Sequence, residues 1–287
     1  MLDQPKRSII KTSDGYNLLT ACFEPDVKPI GVIQVIHGFG EYNGSYSSLC
    51  RYFTQQGFVC VVYDQRGHGE MSDYPEHERR RKIGILKQYD CFLDDVHTVR
   101  EKITGWYPGL PVFLYGHSMG ANIAVNYLLK RSQSEYNKTV LETPWLRLHT
   151  PKPKSLVVAA RVLGRISHTI ATCDRLGPEN VSRDPSVVEQ MKNDQYYHNR
   201  ISLRIFTQIS DAGEYAIANA SELTLPTLLL GAEDDKIVCP KAIREFANAA
   251  GPSVTFYEEP KGYHVLHSDI EPTRGNILKM ILDFLCV

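Results

Sequence analysis

The 287-residue chain is long enough to bury one sizeable core, and an α/β fold of this length commonly forms a single domain, here residues 1–287. Its 43% hydrophobic and 23% charged residues are typical of globular enzymes, and a formal net charge of −1 provides no electric field that would attract nucleic acid. These numbers do not suggest a polyanion-binding protein, and we expect no nucleic-acid partner.

The first predicted elements are two β-strands near the amino terminus. Residues 8–12 and 17–23 are rich in strand-forming residues, and the turn sequence Ser13-Asp14-Gly15 separates them, which predicts a β-hairpin at a sheet edge. Further along the chain, short aliphatic and β-branched runs predict buried parallel strands at residues 32–36, 58–63, 112–115, 227–230 and 254–257.

Segments with helical spacing alternate with these strands. Helices are predicted at residues 89–106, 121–129 and 241–249, with a closing helix from residue 274. The alternation implies right-handed crossovers, and therefore an α/β fold with a mostly parallel central sheet and helices on both faces. It breaks at residues 144–204, where Pro, Lys and Arg punctuate helical stretches and no strand pattern is present. We interpret this segment as a helical insertion within the single domain.

The sharpest local motif is Gly116-His117-Ser118-Met119-Gly120, which follows a predicted strand and precedes a predicted helix. Glycines on both sides of a serine relieve crowding in a tight strand-to-helix turn, which leaves the hydroxyl exposed at the carboxyl end of the sheet. The pattern alone also fits a glycine-rich turn whose hydroxyl caps the helix. The flanking strand and helix favour a nucleophile elbow, and Ser118 is the predicted nucleophile.

A serine hydroxyl needs a base within hydrogen-bond reach, and this base must itself be oriented by a third group. His264 follows the strand at residues 254–257 on a loop at the same sheet edge, so it is the predicted base. His267 is the alternative. The Ser-before-His order along the chain agrees with the order of an elbow-type hydrolase.

The acid that orients the histidine is expected in the turn after the strand at residues 227–230. Three adjacent carboxylates lie there, those of Glu233, Asp234 and Asp235. Asp235 is favoured over Asp234 because the aliphatic pair Ile237-Val238 follows it closely and can anchor the return of the loop to the core.

The negative charge that develops on the substrate oxygen requires two backbone N–H donors. One is predicted at Met119, directly after the nucleophile. The other is predicted at Phe39, because the turn His37-Gly38-Phe39-Gly40 follows the strand at residues 32–36 and allows backbone amides to face the site. We interpret His37 as a residue that packs in this turn rather than as a catalytic group.

These motifs resemble the monoacylglycerol lipase and lysophospholipase branch of the α/β-hydrolases, and the likeness runs nearly end to end. The resemblance implies the α/β-hydrolase fold, a cap over the nucleophile at about residues 144–204, and hydrolysis of a single-chain acyl ester without a cofactor or metal. The sequence departs from that branch in its crowded acidic turn and in a basic run at residues 79–82, which we interpret as a solvated loop. The motifs are His37-Gly38-Phe39-Gly40-Glu41, Asp64-Gln65-Arg66-Gly67-His68-Gly69, Gly116-His117-Ser118-Met119-Gly120, Ser182-Arg183-Asp184-Pro185, Asp235-Lys236-Ile237-Val238 and Tyr263-His264-Val265-Leu266-His267.

One helix of the insertion is amphipathic, and its apolar side predicts how the substrate is bound. Because a broad apolar face must be buried, we expect it to line an acyl groove above Ser118, and closure of the core by part of this face is the alternative. With Lys152, Lys154, Arg161 and Arg165 beside it, the same face is also suited to transient contact with an anionic membrane surface. The apolar face consists of Leu156, Val157, Val158, Ala159, Ala160, Val162, Leu163 and Ile166, and Arg161, Arg165 and His168 form the polar stripe.

Two other functions use the same residues. A small-molecule carboxylesterase or peptidase would share the triad and differ in the shape of the cap. A non-catalytic ligand-binding protein on a hydrolase fold usually lacks a triad member, and here all three are present. The seven scattered cysteines contain no Cys-x-x-Cys pair, and we interpret most of them as reduced core residues. No apolar stretch has the length of a signal peptide or membrane span, so we expect a cytoplasmic protein.

Overall fold

In a computed structural model, which describes residues 4–70, 75–173 and 177–286, the central feature is an eight-stranded sheet. Its strand order is β1-β2-β4-β3-β5-β6-β9-β10, and β7 pairs with β8 in a separate two-stranded sheet. The strands are β1 (Lys6–Lys11), β2 (Asn17–Phe23), β3 (Gly31–Ile36), β4 (Phe58–Tyr63), β5 (Val112–His117), β6 (Lys138–Glu142), β7 (Ala171–Cys173), β8 (Arg200–Ser202), β9 (Thr227–Ala232) and β10 (Val254–Glu259).

In the strand order given above, all neighbouring pairs from β4 to β10 are parallel. The antiparallel pairings both involve β2, at the edge of the sheet that carries the hairpin. β1 pairs with β2 and β2 with β4 in antiparallel register, whereas every other neighbouring pair in the sheet is parallel. The predicted mostly parallel sheet and its edge hairpin are therefore confirmed. Because the strands are parallel, the carboxyl ends of β3, β5, β9 and β10 meet at one edge, where the loops that follow them converge.

Helices cover both faces of this sheet, as predicted. Along β3, Val32 and Ile36 pack into the core under α3, α4, α7 and α8, while Ile33 and Val35 pack under α1 and α9. This alternation follows from the period of two in a strand that is buried on both sides. The helices are α1 (Ser47–Gln55), α2 (Glu76–Lys82), α3 (Asp90–Trp106), α4 (Met119–Lys130), α5 (Lys154–Ile166), α6 (Pro185–Asn193), α7 (Leu203–Ala218), α8 (Pro240–Ala249) and α9 (Thr273–Cys286).

Some elements differ from the sequence predictions. β6, α1 and α7 were not predicted, and the basic run at residues 79–82 lies in the short helix α2 rather than in a loop. β6 has only five residues, with Lys138 and Glu142 at its ends, so its apolar run is too short for a periodic pattern. It nevertheless occupies a central place in the sheet, between β5 and β9.

The insertion contains strands that the sequence did not predict. β7 and β8 pair antiparallel, with Ala171 opposite Ser202 and Cys173 opposite Arg200. Each has three residues, and a run of this length carries no recognisable alternation. The insertion contains the helices α5 and α6 together with this small sheet, in which β7 lies between the two helices and pairs with β8, which follows α6.

The apolar side of α5 faces away from the protein, which contradicts the predicted acyl groove. Ala160 and Gly164 are its buried residues, and a Cβ on Gly164 would lie 2.8 Å from the backbone nitrogen of Arg204 at the start of α7. Small residues therefore set the packed side, and Arg161 on that side pairs with Asp211 of α7. The large apolar side chains remain exposed: Leu156 (60%), Val158 (61%), Val162 (52%), Leu163 (42%) and Ile166 (75%).

The cysteines are free, but fewer of them are core residues than predicted. Cys22, Cys50 and Cys60 are buried, whereas Cys91 and Cys239 are half-buried and Cys173 and Cys286 are exposed. The interpretation of most cysteines as core residues is therefore wrong. Within the described ranges, no helix has both the length and the apolar character needed to cross a bilayer.

Candidate active site

The residue between β5 and α4 is Ser118, and its backbone adopts a strained conformation with φ of 53°. A Cβ on Gly116 would lie 2.6 Å from the carbonyl oxygen of Gly120, and a Cβ on Gly120 would lie 2.1 Å from that of Ile36. Both positions therefore require glycine. The tight turn lifts the serine hydroxyl out of the sheet edge, which is the geometry of a nucleophile elbow.

Three side chains form a continuous hydrogen-bonded chain at this edge. The Ser118 Oγ lies 2.8 Å from His264 Nε2, and His264 Nδ1 lies 2.7 Å from Asp235 Oδ2. The other carboxylate oxygen of Asp235 accepts the backbone N–H groups of Ile237 (2.7 Å) and Val238 (2.9 Å). Asp235 is fully buried, so its carboxylate is fixed by these bonds and faces the imidazole. The structure thus brings the predicted nucleophile, base and acid together.

The alternative residues lie outside this chain of bonds. Asp234 has an exposed side chain, and its backbone N–H donates to the Gly262 carbonyl at 3.1 Å. His267 is buried below the site, where its Nδ1 lies 2.9 Å from Glu142 Oε1. Neither of these side chains is bonded to Ser118 or His264 in the described part of the chain, so the geometry favours Asp235 and His264.

The two residues predicted to supply the backbone donors flank the nucleophile. Met119 is the first residue of α4, and Phe39 lines the same cavity as Ser118. The preceding amide of Gly38 already donates to Glu41 Oε2 at 2.7 Å, which leaves Phe39 as the next N–H in the turn. His37 is fully buried, and its Nε2 accepts the Gln65 N–H at 2.9 Å. Burial lowers the pKa of His37 to about 4, so it is neutral and packs in the turn.

A buried layer of acids and histidines supports the site from below, and the sequence analysis did not find it. Glu142, at the end of β6, accepts the backbone N–H of Leu266 at 2.8 Å and lies beside the imidazole of His267. Burial opposes the charge of Glu142, but His267 lowers the pKa of this carboxyl to about 2. Burial likewise opposes the protonated form of His267, but Glu142 raises its pKa above the ordinary value. Each group therefore favours the charged form of the other, and the two form an ion pair at pH values below the raised pKa of His267.

A second carboxylate of this layer holds the turn after β3. Glu41 Oε2 accepts the hydroxyl of Tyr46 at 2.6 Å as well as the Gly38 amide, and lies 3.4 Å from His117 Nδ1. Burial alone would raise the pKa of Glu41, but the neighbouring His117 lowers it well below its usual range. In the sequence, Glu41 stood out only as the last residue of the motif at residues 37–41. The hydrogen bonds of Glu41 fix the turn from which Phe39 projects.

Ser118 lies in the wall of a cavity of about 370 Å³. Its apolar lining comes from the core and from the insertion, and polar residues such as Thr150, Lys152 and Thr172 also line it. Within the described chain, no residue of α5 contributes to the cavity, so the insertion shapes it through other segments. The apolar lining residues are Phe39, Trp145, Leu148, Val181, Ile201, Phe206 and Ile237.

The family model described as serine aminopeptidase, S33, matches residues 27–271 of the chain. The chain belongs to this family. The structure of monoacylglycerol lipase from Paleococcus ferrophilus superposes with a TM-score of 0.82 at 27% identity, over 93% of this chain and 98% of that one. Together, the family match and this superposition confirm the α/β-hydrolase fold that the sequence motifs implied.

Two relatives in sequence extend the comparison of this α/β-hydrolase. An uncharacterised abhydrolase domain-containing protein of Dictyostelium discoideum is 30% identical over 91% of this chain, and the match spans only 27% of that longer protein. Phospholipase YtpA of Bacillus subtilis is 28% identical over 88% of this chain and 93% of the relative. The match to the family model includes the insertion and the loops that carry Ser118, Asp235 and His264.

Proposed function

We propose that the protein is a serine esterase or lipase that hydrolyses carboxylic esters of single-chain lipids, monoacylglycerol or lysophospholipid, through an acyl-enzyme on Ser118. The observation that carries this proposal is the bonded chain from Ser118 through His264 to the buried Asp235, placed in the wall of a mostly apolar cavity. A cavity with apolar walls and few convergent polar groups suits a small ligand with a long hydrocarbon part.

The proposed reaction begins when His264 Nε2 accepts the proton of Ser118 as its Oγ attacks the ester carbonyl carbon. The carbonyl oxygen gains negative charge, which the backbone N–H groups of Phe39 and Met119 stabilise. His264 then donates the proton to the leaving alcohol, and the acyl group remains on Ser118. In the second half, His264 takes a proton from a water molecule whose oxygen attacks the acyl carbon, and it returns this proton to Ser118 Oγ as the bond between Oγ and the acyl carbon breaks and the fatty acid leaves. Asp235 holds Nδ1 protonated throughout, so that Nε2 is free to accept a proton.

The substrate class is supported by the cavity lining and by the relatives. Residues such as Leu148, Ile201 and Ile237 provide walls against which an acyl chain loses its contact with water. Each methylene buried in this way contributes about 0.8 kcal/mol to binding. One relative is named monoacylglycerol lipase and another phospholipase, and both names describe enzymes that act on lipids.

The exposed side of α5 is proposed to rest on the surface of the membrane that holds these lipids. Its five large apolar side chains occupy one side of a helix whose other side packs on α7. Such a face lies in the interface with its apolar groups among the acyl chains and does not span the bilayer. Lys152 and Lys154, just before and at the start of α5, are exposed and suited to anionic headgroups.

The proposal is tested by measuring kcat/KM for p-nitrophenyl esters from acetyl to dodecanoyl, for monoacylglycerols and for lysophospholipids, with Ser118→Ala as the blank. We expect kcat/KM to rise from acetyl to at least octanoyl, and a fluorophosphonate probe to label Ser118. An optimum at acetyl or butyryl would assign the protein to small-molecule esterases. Faster hydrolysis of aminoacyl anilides than of esters would assign it to the peptidases that the family description names.

A further inference from the structure

The insertion is tied to the loop that carries His264, and the strongest tie is an ion pair. Arg183 Nη2 lies 2.7 Å from Asp269 Oδ2, and its Nε lies 3.0 Å from the same oxygen and 3.1 Å from Oδ1. Nη2 also donates to Thr273 Oγ1 at 3.1 Å. Asp269 is fully buried, so its carboxylate has lost water on all sides. A guanidinium that bonds both carboxylate oxygens is the partner that best replaces this water.

Two further contacts join the same segments, and they begin next to the catalytic histidine. The N–H of Val265 donates to the carbonyl of Val181 at 3.0 Å, and the hydroxyl of Ser182 donates to the carbonyl of Ser268 at 3.2 Å. Residues 181–183 of the insertion therefore lie along residues 265–269 of the histidine loop. The Ser182-Arg183-Asp184-Pro185 motif, which has no part in the chemistry described above, supplies most of these contacts.

The opposite side of the histidine loop is held by the core. Glu142 accepts the N–H of Leu266, and the Thr143 hydroxyl donates to the carbonyl of His264 at 2.8 Å. The loop thus lies between two supports, of which one belongs to the sheet and the other to the insertion. Removing Arg183 leaves the buried carboxylate of Asp269 without its cation, so the loop must shift to let water reach it. His264 lies five residues away in the same loop.

We propose that Arg183 is a positioning residue for the reaction, because through Asp269 it holds the loop that presents His264 to Ser118. The insertion and the base then form one unit, and any movement of residues 181–185 also moves the imidazole. A displacement of about 1 Å in a catalytic group costs on the order of 100-fold in rate. This inference rests on the proposed role of His264 as base and goes beyond it, since it assigns a positioning role to a residue that touches neither the substrate nor the triad.

The test compares Arg183→Met and Arg183→Lys with the wild-type chain on p-nitrophenyl acetate and on a long-chain ester. We expect Arg183→Met to lower kcat by about 10- to 100-fold on both esters while KM changes less than twofold. Arg183→Lys, which keeps the charge but cannot bond both oxygens, is expected to recover part of the loss. The matched control is Arg161→Met, which breaks the bidentate pair between Arg161 of α5 in the insertion and Asp211 of α7, and is expected to leave kcat on the short ester unchanged.

The outcomes separate this inference from the proposed function. If the wild-type chain hydrolyses no ester and takes no fluorophosphonate label, the proposed function is wrong. If the wild type is active but Arg183→Met retains kcat within twofold, or raises only KM for the long ester, Arg183 merely shapes the cavity and the inference is overturned. If Arg183→Met does not fold, Arg183→Lys decides by the same kcat criterion, and full wild-type kcat in folded Arg183→Lys also overturns it.

Discussion

The two oxygens of the Asp235 carboxylate have different tasks. One lies 2.7 Å from the imidazole of His264, and the other accepts two backbone amides from the turn that follows. The neighbouring Asp234 points into solvent. One step along the chain therefore separates a buried carboxylate with a fixed direction from one that is hydrated and free to rotate.

This difference predicts very different effects on kcat for the same Asp→Asn substitution at the two positions. Asp235→Asn removes the acceptor that keeps Nδ1 of His264 protonated, so we expect kcat to fall by about 10⁴-fold. Asp234→Asn changes a hydrated side chain and is expected to leave kcat within about twofold. Steady-state hydrolysis of a soluble p-nitrophenyl ester measures both. A larger loss in Asp234→Asn would transfer the acid role to that residue.

The site residues could be predicted because each is fixed by local rules. Gly116 is required by a clash inside the motif, with the carbonyl oxygen of Gly120, so the motif itself encodes the turn, whereas Gly120 is required by the close approach of Ile36 in the neighbouring strand β3. The Glu142–His267 pair has no such signal. It exists because β6 lies beside β5 and the histidine loop folds over its end, and this arrangement follows from the pairing of the whole sheet.

At the scale of single elements, the predicted amphipathic helix is present as α5, but its orientation differs from the prediction, and His168 of the predicted polar stripe lies beyond its end. Its pattern separates an apolar side from a polar stripe, but the pattern does not state which side meets the protein. Ala160 and Gly164 determine which side of α5 packs against the protein, because small residues at these positions let the helix approach α7 closely. The same packing places Arg161 against Asp211. The three-residue strands β7 and β8 escaped prediction for a simpler reason, their length.

The outward orientation predicts that α5 is a membrane-contacting element. A double substitution, Val158→Asp with Val162→Asp, places two charges on the exposed side without touching the cavity. Burying each of these side chains in an interface contributes on the order of 1 kcal/mol, so we expect at least tenfold weaker partitioning onto vesicles. Hydrolysis of monoacylglycerol embedded in those vesicles is expected to fall in proportion.

The control for this prediction is an exposed apolar residue elsewhere. Val27 is 64% exposed and lies outside the insertion, so Val27→Asp is expected to leave vesicle binding unchanged. The double variant is expected to keep wild-type activity on a soluble short ester. Equal vesicle partitioning of the wild type and the double variant, measured by co-sedimentation, would contradict a membrane role for α5.

For the molecule as a whole, the carboxyl edge of the sheet is held by charge as well as by apolar packing. Apolar cores lie on both faces of the sheet, and at this edge the ends of the strands meet a buried layer that includes Glu41, Glu142 and His267. When one partner of a buried ion pair loses its charge, the other is left uncompensated in the interior, which destabilises the fold. The stability of the fold must therefore depend on the protonation of groups that solvent does not reach.

The signs of the pKa shifts define where the Glu142–His267 pair stabilises the fold. The pKa of Glu142 is lowered from 4.5 to about 2 in the folded protein. Its contribution to folding stability is therefore present above pH 4.5, the pKa in the unfolded chain, and is lost as the pH falls toward 2. The pKa of His267 is raised above 6.5, so its contribution is present below 6.5 and is lost as the pH rises through the folded value. The pair therefore contributes most between about pH 4.5 and 6.5.

Glu142→Gln is accordingly expected to destabilise the fold by about 3 kcal/mol inside this window, because it leaves an uncompensated buried imidazolium or forces it to lose its proton. The difference in the free energy of unfolding between Glu142→Gln and wild type is expected to shrink at more acidic and more alkaline pH. Urea unfolding of both proteins from pH 3 to 9 measures this difference. Glu101→Gln, which removes a surface carboxylate 3.6 Å from His97, serves as the control and is expected to lie within about 0.5 kcal/mol of wild type throughout. A Glu142→Gln curve that runs parallel to wild type at every pH would refute the ion pair, since a neutral contact has no such window.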